Sequence, residues 1–292
     1  MRMKLLALAM GTLLSVANAR ADAPALESRI GAPSADVIAR FESAGMRAVR
    51  PHVLDAAERA RVAAALAALP VLHRDILDRH LRSLAFVDGI PGLGTGLTAR
   101  LPDGRYDITL RASLLDQSLE AFLTDKERNV FAADDSGASV VVRAEGDALG
   151  YVLLHEATHV VDGALGLSTR RNGPFTSGIW IDRITLAPRL AASPAAETTF
   201  RRAPRLPAGR AGAVYDALAQ SPFVSLYASA AAPEDLAELV TWRDLSQRHG
   251  ATLAIEIVDA GGATLKRYEP LAFPGVQARM ELVDRLLRRE PM

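Results

Sequence analysis

Two histidines four residues apart, with a glutamate directly after the first, are the residues here whose types and spacing most plainly permit chemistry. They stand in His155-Glu156-Ala157-Thr158-His159. On a helix, residues four apart lie on one face, one turn above the other. His155 and His159 can therefore point two imidazoles at one metal ion. Glu156, one residue on, can flank that ion without ligating it. This is the arrangement for a zinc-bound water with a general base beside it.

The motif needs a helix, and its flanks supply one. Asp147 can cap the start and Gly163 can end it. Leu149, Leu153, Ala157, Val160 and Ala164 form an apolar stripe at helical spacing. The histidines sit off that stripe, which sets them apart from simple core residues.

A zinc site that keeps one position open for water needs a third protein ligand, and two candidates stand. Asp162 follows His159 by three residues and shares its helical face. A short side chain one turn further on swings back poorly toward the ion, and there it can accept hydrogen bonds beside the site near the helix end. Glu234 belongs to a later helix, opened by Pro233 with acids in its first turn. It can approach from another direction. Glu234 and Glu238 lie at i, i+4, where like charges repel by roughly a few tenths of a kcal/mol. A cation or an imidazole N–H between them removes the conflict: the first can ligate, the second can hold a ligating histidine by its other nitrogen.

Residues 1–21 read as a secretion signal: Arg2 and Lys4, then an apolar run over 5–16 too short to span a bilayer. Ala17-Asn18-Ala19 and Ala19-Arg20-Ala21 are small-x-small cleavage sites. The expected location is periplasmic or secreted, with no transmembrane segment in the mature chain. Cysteine is absent, which excludes disulfides, thiolate ligands and a thiol nucleophile. Basic and acidic residues balance at 34 each, so nothing electrostatic points to nucleic acid or an anionic membrane. The 49% hydrophobic and 23% charged content is that of an ordinary globular chain.

Residues 22–82 form an N-terminal tail and helical segment, with helices predicted over 54–69 and 71–81. His73 and His80 fall on the second and read as surface or packing residues. From 83 to 292 runs the expected catalytic domain. Strands are predicted over 83–87, 97–101, 106–110 and 139–142, a helix over 113–123, and a glycine-rich turn over 89–96. Residues 167–210 are irregular, as in a lid or binding loop; Phe175 and Trp180 either line a groove or anchor that loop. Residues 252–258 and 264–268 read as a hairpin, followed by a helix over 275–289, and His249 as a helix-end residue before Gly250.

The chain resembles the zincin metallopeptidases of the gluzincin type, and more closely the catalytic domains of anthrax lethal factor and of Mlc titration factor-like peptidases. The matching pieces are His155-Glu156-x-x-His159-Val160-Val161-Asp162 and Tyr227-Ala228…Glu234-x-x-Ala237-Glu238, within residues 83–245. Ala231-Ala232 stand where an Asn-rich turn is common. The resemblance implies Zn2+ held by His155, His159 and Glu234, Glu156 as general base, Tyr227 near the metal, and Glu238 behind a ligand. It implies an α+β zincin-like domain: a small, mostly antiparallel sheet packed on the motif helix. A peptide or protein substrate follows, hydrolysed by a zinc-activated water. The alternative is a zincin-fold binding protein without turnover.

Overall fold

The computed structural model describes residues 25–90, 92 and 94–288. The expected secretion signal lies outside them. The elements run β1 (Ile30–Gly31), α1 (Ala35–Ser43), β2 (Arg47–His52), α2 (Ala56–Ala68), α3 (Val71–His80), β3 (Leu81–Ile90), β4 (Gly96–Arg100), β5 (Tyr106–Arg111), α4 (Leu119–Arg128), β6 (Phe131–Ala132) and β7 (Ser139–Ala144). There follow α5 (Ala148–Leu165), α6 (Pro188–Ala191), β8 (Leu206–Pro207), α7 (Ala211–Ala219), α8 (Ala232–His249), β9 (Leu253–Val258), β10 (Thr264–Tyr268) and α9 (Pro274–Leu287). The architecture is α+β. No helix among the described residues is long and apolar enough to cross a membrane.

α5 carries the motif and lies at the centre. Nearly every side chain from Ala148 to Asp162 is buried, not only the apolar stripe. A helix apolar on most of its circumference must be surrounded, and α2, α3, α4, α8 and strands β4 and β5 surround this one. Asp147 caps it, accepting from Gly150 N at 2.7 Å. The helix passes through Gly163 and ends at Gly166, whose φ of 66° is the left-handed conformation glycine favours. Gly163 instead gives room to the Tyr106 hydroxyl, which lies where a Cβ would stand. Its signal is a close approach by a distant strand, and that resembles a helix stop when only neighbours in sequence are visible.

The sheet beside α5 is mixed rather than mostly antiparallel. β1 and β2 both pair with β3, β1 parallel and β2 antiparallel; β5 runs parallel to β3; β4 closes the edge antiparallel to β5. β5 inserts between β3 and β4 because all six of its residues are buried, which suits a central strand, whereas β4 is only half-buried. A second sheet, β10–β9–β7, is antiparallel and contains the expected hairpin. Residues 25–82 are more than a helical appendage. They add β1 and β2 to the sheet, and Leu54, Val62, Leu66, Ile76 and Leu77 join the same core as α5 and the residues that follow it. The helix expected over 113–123 is broken: a 3-10 turn over Ala112–Leu115 precedes α4, which Ser118 caps by accepting from Ala121 N.

α8 crosses α5 and is fixed at its first turn by a buried ion pair. Asp235 accepts from Arg279 of α9 at 2.6 and 2.8 Å and from Trp180 Nε1 at 2.8 Å. The Arg279 guanidinium also covers the Phe175 ring at 4.4 Å. Phe175 and Trp180 therefore anchor the long loop to the core.

His73 braces α3 against α5. It is buried, with Nε2 3.0 Å from Thr158 Oγ1, which itself donates to Leu154 O. Nε2 thus carries the hydrogen, and Nδ1 is sealed without a partner among the described residues. Burial, helped by Arg243 and Arg248, pushes the His73 pKa from 6.5 down to about 4. The unfolded chain binds this proton first as pH falls, so stability present above pH 6.5 is lost toward pH 4. His73→Gln keeps the donor to Thr158 and removes the titration. Urea unfolding should show the parent losing about 2–3 kcal/mol more than the variant between pH 7 and 4.5; equal losses would contradict a neutral buried His73.

Candidate metal centre

Successive turns of α5 place His155 and His159 on one face, and the first turn of α8 brings Glu234 to them. His155 Nε2 lies 3.1 Å and His159 Nε2 3.4 Å from the same Glu234 Oε2. One donor atom from each of the three lies within 4.8 Å of the others. Two imidazoles and a carboxylate converge as a group able to hold one metal ion. That donor set suits a borderline divalent ion better than magnesium or calcium, which prefer all-oxygen sites.

Behind this group stands Glu238, one turn further along α8. Its Oε1 accepts from Tyr151 OH at 2.6 Å and its Oε2 from Ser225 Oγ at 2.7 Å. Lys126 Nζ is 3.4 Å away, and His155 Nδ1 lies 3.3 Å from Oε1, off the line of a good hydrogen bond. Burial pushes the Glu238 pKa up, yet Lys126, His155 and Tyr151 outweigh it and hold the group at about 2. Glu234 is driven well below the ordinary carboxylate range: burial opposes this, and His159 and His155 prevail. His155 is raised to about 9; burial works against its charge, and Glu234 and Glu238 overcome burial. The two carboxylates of α8 thus face the two nitrogens of one imidazole, and the like-charge conflict along α8 is resolved as their spacing predicts.

Glu156 points to the other side, toward strand β4. Thr98 Oγ1 lies 2.7 Å from Glu156 Oε2 and 3.1 Å from its backbone oxygen. Gly96 completes the fit, since a Cβ there would meet Glu156 Oε1 at 2.5 Å. Tyr227, in the 3-10 turn before α8, has its ring 5.9 Å from that of His155, with Lys126 Nζ 3.7 Å above it and Phe200 at its edge. Burial, with the Glu234 and Glu156 carboxylates, raises the Tyr227 pKa well above that of a free phenol, so its hydroxyl keeps its proton. Gly96, Lys126, His155, Glu156, Phe200 and Tyr227 border a cavity of about 320 Å³.

Asp162 does not reach the group. It accepts from Ser168 N at 2.8 Å and from the Ser168 hydroxyl, fastening the chain beyond α5. Phe175 and Trp180 do not line the cavity; Thr199 and Phe200 of the same long loop do. Thr98, Lys126, Ser225 and Tyr151 carry no motif that marks them as parts of the site. Tyr151 alone had a local signal, lying one turn before His155 on the same face. The others arrive through distant elements. No family model, curated protein or solved structure matches the chain.

Removal of the third donor is the decisive local perturbation. Glu234→Ala should weaken zinc binding more than the roughly 10- to 100-fold expected of Glu238→Gln, which loses only the contact behind His155. Asp162→Ala should bind zinc as the parent does. Competition with a chromogenic chelator measures all three, and an Asp162→Ala protein that alone loses the metal would contradict the geometry.

Proposed function

We propose that this chain is an exported, zinc-dependent metallopeptidase of the gluzincin type with a zincin-like catalytic domain. The observation that carries the reading is the convergence of His155, His159 and Glu234 with Glu156 held beside them by strand β4. A pure metal site has no use for a positioned carboxylate at Glu156. The basic and apolar start of the sequence supports export.

His155, His159 and Glu234 would hold the zinc, which when bound acidifies a water and polarises the scissile carbonyl. Glu156 takes the water's proton on its carboxylate and delivers it to the leaving amine. Thr98 fixes the direction of that carboxylate by donating to Oε2. Gly96 keeps the strand close enough for the contact. Tyr227, protonated because of its buried and acidic surroundings, donates to the oxyanion as the carbonyl becomes tetrahedral. Glu238 stays ionised and faces the other nitrogen of His155, which orients the ring. Strand β4, whose outer edge has no strand partner among the described residues, offers backbone groups to an extended peptide.

Glu156→Gln should abolish peptide hydrolysis while zinc stays bound, because shape is kept and the base is lost. Near-normal turnover by that variant on a peptide the parent cleaves would overturn the mechanism. Tyr227→Phe should lower kcat by about 10- to 1000-fold with a smaller change in KM. An unchanged kcat would return Tyr227 to a packing role.

A further inference from the structure

Arg111 ends β5 in the wall of the cavity shared by His155 and Glu156. Its backbone N–H donates to Thr95 O at 3.0 Å, next to the Gly96 that abuts Glu156. The residue is 8% exposed. Its one side-chain hydrogen bond among the described residues is a long one, Nη2 to Gln117 Oε1 at 3.5 Å. Nε is sealed from solvent with no partner among the described residues. Asp125 lies in the same wall, where it accepts from Gln117 Nε2 at 3.4 Å and closes no ion pair with Arg111. Lys126, also in the wall, is engaged by Glu238 and by the Tyr227 ring.

A guanidinium cannot shed its charge at any ordinary pH, so a buried one is normally paired. Here the partner set is incomplete. Burial pulls the Arg111 pKa down and Asp125 only partly offsets it. The fork of N–H donors matches a carboxylate in two-point contact. Arg111 also borders a second, more open cavity reaching Ala44, Gly45 and Asp116. An anion can therefore meet the guanidinium at the end of a peptide lying in the inner cavity, or on a side chain of a peptide continuing outward.

We propose that Arg111 determines specificity by binding a carboxylate of the peptide in the cavity beside the metal centre. This rests on the peptidase reading. The carboxylate is either the peptide's C-terminus or an acidic side chain, and two charged probes separate these sources.

The test uses zinc-loaded Glu156→Gln protein, which should bind peptide without cleaving it. Calorimetric titration compares acetyl-Ala-Ala-Ala with a free C-terminus, the same peptide as its amide, and acetyl-Ala-Glu-Ala-amide. At least one charged peptide should bind about tenfold tighter than the neutral amide, and adding Arg111→Gln should bring that ratio close to one. A free-terminus preference indicates removal of terminal residues; a glutamate preference indicates reading of an internal side chain. Arg111→Lys should keep part of the preference. Thermal unfolding should place Arg111→Gln within about 5 °C of the parent, since no ion pair is broken. Absence of any charge preference, its survival in Arg111→Gln, or a larger loss of stability would overturn the proposal. A charge preference in Glu156→Gln, with a zinc-loaded parent that hydrolyses none of the peptides, would leave Arg111 assigned and remove the peptidase reading. Hydrolysis by the parent without charge preference in the variant would do the reverse.

Discussion

A carboxylate enclosed by protein must be given a counter-charge and donors, and Glu238 is the point where this constraint organises the molecule. It is sealed between α5 and α8, 1% exposed, and it stays ionised. Keeping it so requires Tyr151 from α5, Ser225 from the segment before α8, Lys126 from α4 and the near nitrogen of His155. Four side chains from three segments, α4, α5 and the stretch before α8, are therefore tied to one carboxylate. Loss of any one donor leaves a buried charge under-satisfied, which is far costlier than loss of an exposed contact.

The rest of the centre follows from that tie. With His155 fixed from behind, its Nε2 faces Glu234, and His159 reaches the same oxygen from the next turn. The start of α8 is secured separately by the Asp235–Arg279 pair, which also takes up Trp180 of the long loop. Glu234 is thus held by two anchors that follow it on the same helix, Asp235 one residue on and Glu238 one turn on. On the opposite side of α5, the β4 edge strand determines where Glu156 points. The helix gives the motif its spacing, and the two flanking elements give it direction.

Much of this was legible in local pattern. The i, i+4 histidines, the Asp147 cap and the hairpin over Leu253–Val258 and Thr264–Tyr268 need only nearby residues to be recognised. Glu234 and Glu238 were legible because two acids on one helical face pose a conflict that something must resolve. What stayed hidden is non-local. β5 lies between β3 and β4, an order set by burial of both its faces and not by chain sequence. That order alone brings Thr98 and Gly96 to Glu156 and Arg111 to the cavity. Gly163 resembled a helix stop because Tyr106, its reason for being glycine, is 57 residues away in sequence (163 − 106). Phe175 and Trp180 competed equally for groove and core; the buried partners Asp235 and Arg279 decide for the core.

The central claim is that two helices jointly create one metal site of two imidazoles and one carboxylate. X-ray absorption at the zinc edge, on chain purified without added metal and then loaded with one equivalent, tests it most directly. The account predicts one tightly held zinc per chain with two imidazole nitrogens at about 2.0–2.1 Å and carboxylate oxygen completing the protein ligands. It predicts that Glu234→Ala removes the carboxylate contribution from whatever zinc remains. A zinc shell without two imidazoles, or one that Glu234→Ala leaves unchanged, would contradict it.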